Sequence, residues 1–221
     1  MRLLFVVLRL VQLCDTFAGM KIKAIIFDLG GVLVDWNPDY LFDKVFDDAE
    51  KKKYFFDNVC TPDWNEEQDA GRSIKEATET LVAHHPDWRE HIEAYYDRWE
   101  EMLGGPIHDT VAILKELKER GHYKLYALTN WSAELFPKAL ELYDFLHWFD
   151  GRVVSGEEKM RKPFAKFYHV LLDRYNLKPE DVLFIDDNLR NVKAAESLGI
   201  KSIPFKSAAQ LHEELKKLGV L

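Results

Sequence analysis

Short apolar runs alternate with amphipathic stretches along most of the chain, beginning with Ala24-Ile25-Ile26-Phe27. The runs are rich in β-branched, leucine and aromatic side chains and are bounded by polar residues or glycine, which is typical of buried strands. Their alternation with helical patterns predicts an α/β fold with a Rossmann-like parallel sheet. The predicted strands are residues 24–27, 124–128, 151–154, 182–185 and 201–205.

The segments between these strands place apolar side chains three or four residues apart, which predicts helices. Gly121 and Gly199 each follow a segment and act as stop signals, and Pro163 is predicted to occupy the first helical position of another. Ser207-Ala208-Ala209-Gln210 has the pattern of a capping box before the last helix. The predicted helices are residues 110–120, 164–175, 190–198 and 207–218.

Residues 36–105 differ from the rest because they contain helical patterns and no convincing strand. We therefore predict an α-helical cap at 36–105, inserted into a core formed by 20–35 and 106–221, with residues 35–38 as the turn between them. The predicted cap helices are 38–46, 49–58, one opened by the capping box Ser73 to Glu76, and one opened by Asp87 to Glu90 that runs past Met102.

The first residues, 1–19, read MRLLFVVLRLVQLCDTFAG, a basic start followed by an apolar run that Arg9 interrupts. The run is too short to span a membrane. We interpret 1–19 as an N-terminal extension or a misassigned start, with a cleaved secretory signal as the alternative.

Composition narrows the class of protein. The 221 residues are 47% hydrophobic and 31% charged with a net charge of −8, which is typical of a globular enzyme. The segment 36–105 holds 18 acidic against 8 basic residues, which argues against a nucleic-acid partner. Only Cys14 and Cys60 are present, which excludes a disulfide scaffold and fits a reducing, cytoplasmic setting. We expect no membrane partner and a monomer or weak dimer.

Polar residues follow three of the predicted strands directly: Asp28, then Thr129-Asn130, then Asp186-Asp187-Asn188. Ligands of open parallel sheets bind at the carboxyl ends of the strands, so these side chains can converge on one site. Each alone is equally well explained as a turn or capping residue. The three together with a lysine at 162 predict a functional site.

The segments FDLGGVLVDW (27–36), LTN (128–130), RKP (161–163) and FIDDNLRN (184–191) resemble, in order and spacing, the four motifs of the haloacid dehalogenase (HAD) superfamily. The resemblance extends from Met20 to about Leu221 and includes a helical cap of the C1 type between the first two motifs. It implies a phosphatase-type hydrolase with an aspartate nucleophile and Mg²⁺, similar to the sugar-phosphatase branch whose first motif is DLGxV.

The resemblance assigns roles to particular residues. Asp28 is the expected nucleophile, Thr129 and Asn130 bind a phosphoryl oxygen, and Lys162 neutralises the charge shared by the phosphoryl group and Asp28. Gly31 lies where the backbone approaches the substrate closely.

The expected Mg²⁺ ligands are Asp28, the backbone carbonyl of Gly30, and Asp187. Adjacent side chains on an extended chain point to opposite faces, so we assign Asp186 a supporting role. Asn191 is expected to orient Lys162 or a metal-bound water.

One position departs from the usual pattern, because phosphatases of the family carry a general acid/base aspartate where this chain has Gly30. Asp35 is a possible substitute. In the cap, Asp69 and Gly71 resemble the family loop that faces the substrate, and Trp64, Asn65 and Ala70 belong to the same loop. Arg161 and Lys159 are expected to be surface charges.

Three functions are compatible with these residues. The first is an Mg²⁺-dependent phosphomonoesterase acting on a small phosphorylated metabolite such as a sugar phosphate. The second is a metal-free 2-haloacid dehalogenase of the same fold, against which the acidic pair 186–187 argues. The third is a non-catalytic metabolite-binding or regulatory protein, suggested by Gly30.

Overall fold

A computed structural model describes residues 22–221, so the predicted extension 1–19 lies outside the described residues. Its main sheet has five parallel strands in the order β5-β4-β1-β6-β7, and a separate antiparallel ribbon pairs β2 with β3. The strands are β1 (Ala24–Phe27), β2 (Val34–Trp36), β3 (Leu103–Pro106), β4 (Lys124–Thr129), β5 (Gly151–Val154), β6 (Val182–Asp186) and β7 (Lys201–Pro204).

Helices cover both faces of the main sheet and form most of the segment between β2 and β3. The helices of this segment are α1 (Asp39–Val45), α2 (Ala49–Asn58), α3 (Pro62–Asp69), α4 (Ile74–His84) and α5 (Arg89–Asp97). Those of the remaining chain are α6 (His108–Arg120), α7 (Phe136–Leu142), α8 (Ser155–Glu158), α9 (Ala165–Arg174), α10 (Leu189–Ser197) and α11 (Ala208–Lys217). Short 3₁₀ helices occupy Pro86–Trp88, Trp99–Met102, Asp144–His147 and Pro179–Asp181.

The α/β sheet predicted from the apolar runs is confirmed, and all five predicted strands are present within one residue of their predicted ends. Every residue of β1 is buried, with Ile25 and Phe27 in one apolar cluster and Ala24 and Ile26 in another on the opposite face. This alternation explains why the run reads as continuously apolar, since both faces of a parallel sheet are covered by helices.

The segment 39–102, called the helical insert below, has its own apolar cluster built around Phe42, Phe55, Ile92 and Tyr95. The predicted absence of strands in 36–105 is wrong, because Trp36 belongs to β2 and Leu103–Pro106 forms β3. These strands connect the insert to the core as a two-stranded ribbon instead of the predicted turn at 35–38.

Several helix ends also differ from prediction. The helix predicted to run past Met102 ends at Asp97, and its N-cap is Trp88 instead of Asp87. Pro163 follows a cis peptide bond and precedes the helix, which begins at Ala165 after the N-cap Phe164. Capping by Ser207 is confirmed, since its side chain accepts a hydrogen bond from the N–H of Gln210. Within the described residues, no helix combines the length and apolar character needed to cross a bilayer.

Candidate active site

The strand order reverses around β1, so the ends of β4, β1 and β6 lie side by side. Phe27 is level with Ala127 on one side and with Ile185 on the other. The N–H of Asp28 continues the ladder by donating to the carbonyl of Ile185 at 2.8 Å. The strand register therefore brings together the polar strand ends that the sequence singles out.

Lys162 connects two of these strand ends. Its side chain is fully buried, and Nζ lies 2.8 Å from Asp28 Oδ2 and 2.7 Å from Asp186 Oδ2. Burial lowers the pKa of Lys162, but attraction to Asp186 and Asp28 outweighs it and leaves the pKa above its ordinary value. Lys162 is therefore a permanent cation between two carboxylates.

Asp28 is only 7% exposed, and its Oδ1 accepts the N–H of Leu29 at 2.7 Å. Burial raises the pKa of Asp28 well above its ordinary value; Lys162 opposes this rise, and the charges of Asp186 and Asp187 add to it. The site therefore carries more negative charge than Lys162 alone neutralises.

The two acids at 186–187 have different environments. Asp186 is fully buried, and besides Lys162 it accepts the N–H of Asn188 at 2.8 Å and the Nδ2 of Asn191 at 3.1 Å. Asp187 is exposed at the cavity floor. The burial pattern agrees with strand alternation, yet Asp28, Asp186 and Asp187 each offer an oxygen within 4.8 Å of the others.

The donor set fits a hard divalent cation, because Mg²⁺ prefers oxygen ligands and carboxylates above all. Asp28 and Asp187 supply carboxylate oxygens next to the backbone of Gly30 and Gly31. A Cβ built on Gly31, where φ is +71°, would lie 2.3 Å from Asp187 Oδ2, so glycine is needed for the Asp187 carboxylate to approach. At Gly30 a Cβ would meet nothing within 4 Å.

Thr129 is the last residue of β4 and Asn130 follows it, and the two side chains have different environments. Thr129 is fully buried and is not among the cavity-lining residues, but its Oγ1 has no hydrogen-bond partner among the described residues. The amide of Asn130 is already engaged, since it accepts the N–H of Lys162 at 2.9 Å and donates to its carbonyl at 3.0 Å. Asn130 thus fixes the backbone from which Lys162 extends.

Two assigned residues contact different partners from those expected. Asn191 bonds to Asp186, so it orients the carboxylate that holds Lys162 rather than Lys162 itself. Gly71 does not line the cavity; a Cβ there would lie 2.9 Å from the carbonyl of Gly156, so the structure gives Gly71 a packing role between the insert and α8.

Asp69 lies at the end of α3 and lines the cavity together with Asp28. Its Oδ2 accepts a hydrogen bond from Asn65 at 3.3 Å. Burial and the neighbouring charge of Glu66 raise the pKa of Asp69 to about 7, against the weaker opposing effect of Arg161. The segment around it, predicted to be a loop, is the helix α3 as far as Asp69.

Arg161 is not a surface charge, as the sequence suggested, since its side chain is only 14% exposed. It pairs with Glu66 at 2.7 Å, and Glu66 also bonds to Arg190. This cluster joins the insert to the core on both sides of the site. No sequence signal predicts it, because Glu66 is far in sequence from both arginines.

A cavity of about 430 Å³ lies between the helical insert and the carboxyl ends of the strands. Its floor includes Asp28, Gly30, Gly31 and Asp187. Its size is in the range of small-molecule sites, and its floor holds the carboxylates of Asp28 and Asp187, with the buried Lys162 behind Asp28. The arrangement can present a buried carboxylate, a fixed lysine and a divalent cation to a bound anion.

The fold and this site are those of a hydrolase family. A model of the haloacid dehalogenase-like hydrolases matches residues 22–199, so the chain belongs to that family and is a hydrolase by family. The resemblance of the four sequence motifs is thereby confirmed at the family level.

Three relatives illustrate the range of similar proteins. A sesquiterpene phosphatase of Aspergillus oryzae is 28% identical over 93% of this chain and 98% of its own. A phosphoglycolate phosphatase of Vibrio cholerae is 24% identical over 82% of this chain and 83% of its own. A HAD family enzyme of Bacteroides thetaiotaomicron, solved as a magnesium complex, superposes with a TM-score of 0.65 at 22% identity, covering 84% of this chain and 94% of its own.

Proposed function

We propose that this protein is an Mg²⁺-dependent phosphomonoesterase that acts on a small phosphorylated metabolite through an aspartyl-phosphate intermediate. The observation that carries the proposal is the buried Asp28 carboxylate, held 2.8 Å from Lys162 at the floor of a cavity. Two relatives with phosphatase names, the sesquiterpene phosphatase and the phosphoglycolate phosphatase, add support.

In this mechanism a carboxylate oxygen of Asp28 bonds to phosphorus while the bond from phosphorus to the ester oxygen breaks. Lys162 keeps its charge beside Asp28 throughout and offsets the negative charge that accumulates on the phosphoryl oxygens. The hydroxyl of Thr129 donates to one of these oxygens. Water then attacks the phosphorus, the bond to Asp28 breaks, and inorganic phosphate leaves with Asp28 regenerated.

Asp28, Asp187 and the carbonyl of Gly30 are the residues that would hold Mg²⁺. The bound ion would supply positive charge that offsets the negative charges of the site and of the phosphoryl group. This agrees with the raised pKa of Asp28, whose cause is burial together with the uncompensated charges of Asp186 and Asp187. A cytoplasmic location, a monomeric or weakly dimeric state and the absence of nucleic-acid and membrane partners stay predictions.

The proposal predicts that turnover of p-nitrophenyl phosphate requires a divalent cation. EDTA should remove the activity and excess Mg²⁺ should restore it, because the site needs a cation between two carboxylates and an anionic substrate. Activity that persists in EDTA would contradict the metal dependence. Absence of phosphate-ester turnover together with hydrolysis of 2-chloropropionate in EDTA would favour the metal-free dehalogenase alternative. Mg²⁺ binding without turnover of any ester would favour a non-catalytic protein.

Two adjacent glycines provide a matched control for the metal site. In Mg²⁺ titrations, Gly31→Ala should weaken binding strongly, because its Cβ would occupy space within 2.3 Å of Asp187 Oδ2. Gly30→Ala adds the same methyl group in open space and should bind Mg²⁺ almost as the parent protein does. Equal binding by both variants would contradict the assignment of Asp187 to the metal.

A further inference from the structure

The walls of the cavity above the catalytic floor are apolar and aromatic. Both the helical insert and the core contribute residues to these walls, so the apolar surface is not simply the buried face of one helix. The apolar lining residues are Trp36, Pro38, Phe56, Cys60, Pro62, Tyr95, Tyr96, Trp99, Trp131 and Leu135.

Polar groups on the insert side of these walls are mostly engaged within the protein. The hydroxyl of Tyr96 donates to Asn65 at 3.0 Å and accepts from Gln68 at 3.0 Å. Glu66 is held by Arg161 and Arg190. The side chains of Tyr96 and Glu66 therefore have protein partners already, which leaves fewer donors and acceptors on the insert side for a polyhydroxylated ligand, whose hydroxyls would lose water without replacement.

We propose that the organic part of the substrate is a hydrophobic group, so that the enzyme acts on phosphate monoesters of apolar alcohols. This inference rests on the proposed function and specifies its substrate class. The cavity is too large for phosphate alone, and its continuity with Asp28 places the apolar walls where the ester's organic group must lie. The sugar phosphate suggested by the sequence fits these walls poorly.

The test compares primary alkyl phosphates from ethyl to octyl, below micelle-forming concentrations, with glucose 6-phosphate, whose leaving group is also a primary alkoxide. We expect kcat/KM to rise with chain length, approaching about fourfold for each fully buried methylene, until the cavity is filled. Glucose 6-phosphate should be turned over no faster than ethyl phosphate. A rate that is flat or falls with chain length, or a preference for glucose 6-phosphate, would overturn the inference.

Trp36→Ser tests the wall directly, because Trp36 lies at the cavity edge and is 38% exposed. It should reduce the gain in kcat/KM per methylene, so that octyl phosphate loses more activity than ethyl phosphate does. Tyr54→Ser is the control, because it removes an exposed aromatic side chain that does not line the cavity. It should show the same increase of kcat/KM per methylene as the parent protein. If phosphatase activity requires Asp28 but does not change with chain length, the apolar site is rejected and the proposed function stands. If no ester is turned over in a way that requires Asp28, the proposed function is rejected and this inference with it.

A second observation concerns the general acid of the reaction, because Gly30 has no side chain that could serve as one. Asp35, the substitute considered from sequence, accepts the hydroxyl of Tyr40 at 2.6 Å and is not among the cavity-lining residues. Four carboxyl groups do line the cavity: Asp28, Asp187, Glu66 and Asp69. The first two are at the proposed metal site, and Glu66 is paired with two arginines.

We infer that Asp69, across the cavity on the helical insert, is the general acid and base of the reaction. Its carboxyl group gives its proton to the ester oxygen as the bond to phosphorus breaks, so the alcohol leaves neutral. The resulting carboxylate then accepts a proton from the water that attacks the aspartyl-phosphate, which restores Asp69. The proton balance closes over the two steps without another group.

The charges around Asp69 make this exchange feasible near neutral pH. Glu66 on its own helix raises its pKa, while Arg161 and Lys162 from the core lower it, as does a hydrogen bond from the backbone N–H of Ser132. The hydroxyls of Tyr95 and Tyr96 on α5 also face it and stay neutral, since burial raises the pKa of each. With burial included, the pKa of Asp69 is about 7.

Asp69→Asn should lower kcat/KM for butyl phosphate by about 10²–10⁴-fold and leave kcat/KM for p-nitrophenyl phosphate, whose leaving group needs no proton, within a few-fold of the parent. The kcat of both esters should fall, because hydrolysis of the shared aspartyl-phosphate loses its base. Turnover of butyl phosphate by the parent should fall as pH rises through about 7, because Asp69 loses its proton, and the variant should lack this fall. Asp63→Asn, an exposed acid on the same helix, is the control.

Equal losses of kcat/KM on both esters would show that Asp69 only positions the substrate, and no loss would show that it has no part in the reaction; either result overturns the assignment. The comparison is made on p-nitrophenyl phosphate activity that Asp28→Asn abolishes. If Asp28→Asn still hydrolyses p-nitrophenyl phosphate, the proposed function itself fails, and this result is distinguishable from a failure of the Asp69 assignment.

Discussion

Asp28→Asn is expected to reduce phosphatase turnover by about 10⁴–10⁶-fold, the range seen when single members of a hydrolase's catalytic group are removed. The amide has no negative charge and cannot displace the ester oxygen from phosphorus. Lys162 keeps a partner at 2.7 Å in Asp186, so the remaining site should retain its geometry. Steady-state turnover of p-nitrophenyl phosphate at saturating Mg²⁺ measures the loss.

The same variant should fold as well as the parent protein. Burial raises the pKa of Asp28, which means that its charged form is disfavoured in the folded state, and an uncharged amide removes that cost. Thermal melting without Mg²⁺ should therefore show no decrease. Asp173→Asn, at an exposed position on α9, should leave both turnover and melting unchanged. Undiminished turnover in Asp28→Asn would overturn the nucleophile.

The centre of the main sheet was predictable because β1, β4 and β6 are buried at nearly every position and are therefore nearly continuous apolar runs, whereas β5 and β7 are less buried. Val182–Asp186 shows this well, since all five residues are buried. The site residues that immediately follow these strands were predictable for the same reason, because the strand fixes where the chain stops being apolar. Asp28, Thr129 and Asp186 are all local consequences of a strand end.

The ribbon of β2 and β3 was not predictable in this way. Leu103–Pro106 contains two glycines and one proline, residues that are depleted in strands, and its partner Val34–Trp36 is nearly 70 residues earlier. The helix α3 was missed because its sequence, PDWNEEQD, is polar and lacks a helical apolar stripe. The helix begins after its N-cap Thr61, whose hydroxyl accepts a hydrogen bond from the N–H of Trp64, and apolar periodicity does not reveal this start.

Contacts between the insert and the core lie beyond sequence reasoning altogether. The Glu66 pairs with Arg161 and Arg190 depend on how the helical insert packs over the strand ends. The raised pKa of Asp69 depends on the same packing, because burial is its largest cause. Sequence therefore predicted the floor of the site and the position of Asp69 near the substrate, whereas the walls and the packing that raises the pKa of Asp69 required the structure.

Lys162→Met is expected to remove most turnover and to destabilise the fold. Methionine fills a similar volume, but it leaves the carboxylates of Asp28 and Asp186 buried against each other without the cation that lies 2.8 and 2.7 Å from them. Removing one partner of a buried ionic group costs about 3–5 kcal/mol. For a domain of this size the melting temperature should fall by roughly 10 °C in the absence of Mg²⁺.

This loss should depend on pH in a defined direction. Lys162 lowers the pKa of Asp28 against the effect of burial, so the variant raises that pKa further above its unfolded value. A carboxyl group with a raised folded pKa contributes its full stability below the unfolded pKa and loses it as pH rises through the folded pKa. The gap in melting temperature between parent and variant should therefore widen from pH 5 to pH 8, and saturating Mg²⁺ should narrow it by supplying a cation beside Asp28.

Lys166→Met, at an exposed position on α9, should melt like the parent at both pH values. A gap that is constant with pH and unaffected by Mg²⁺ would show that Lys162 contributes packing alone.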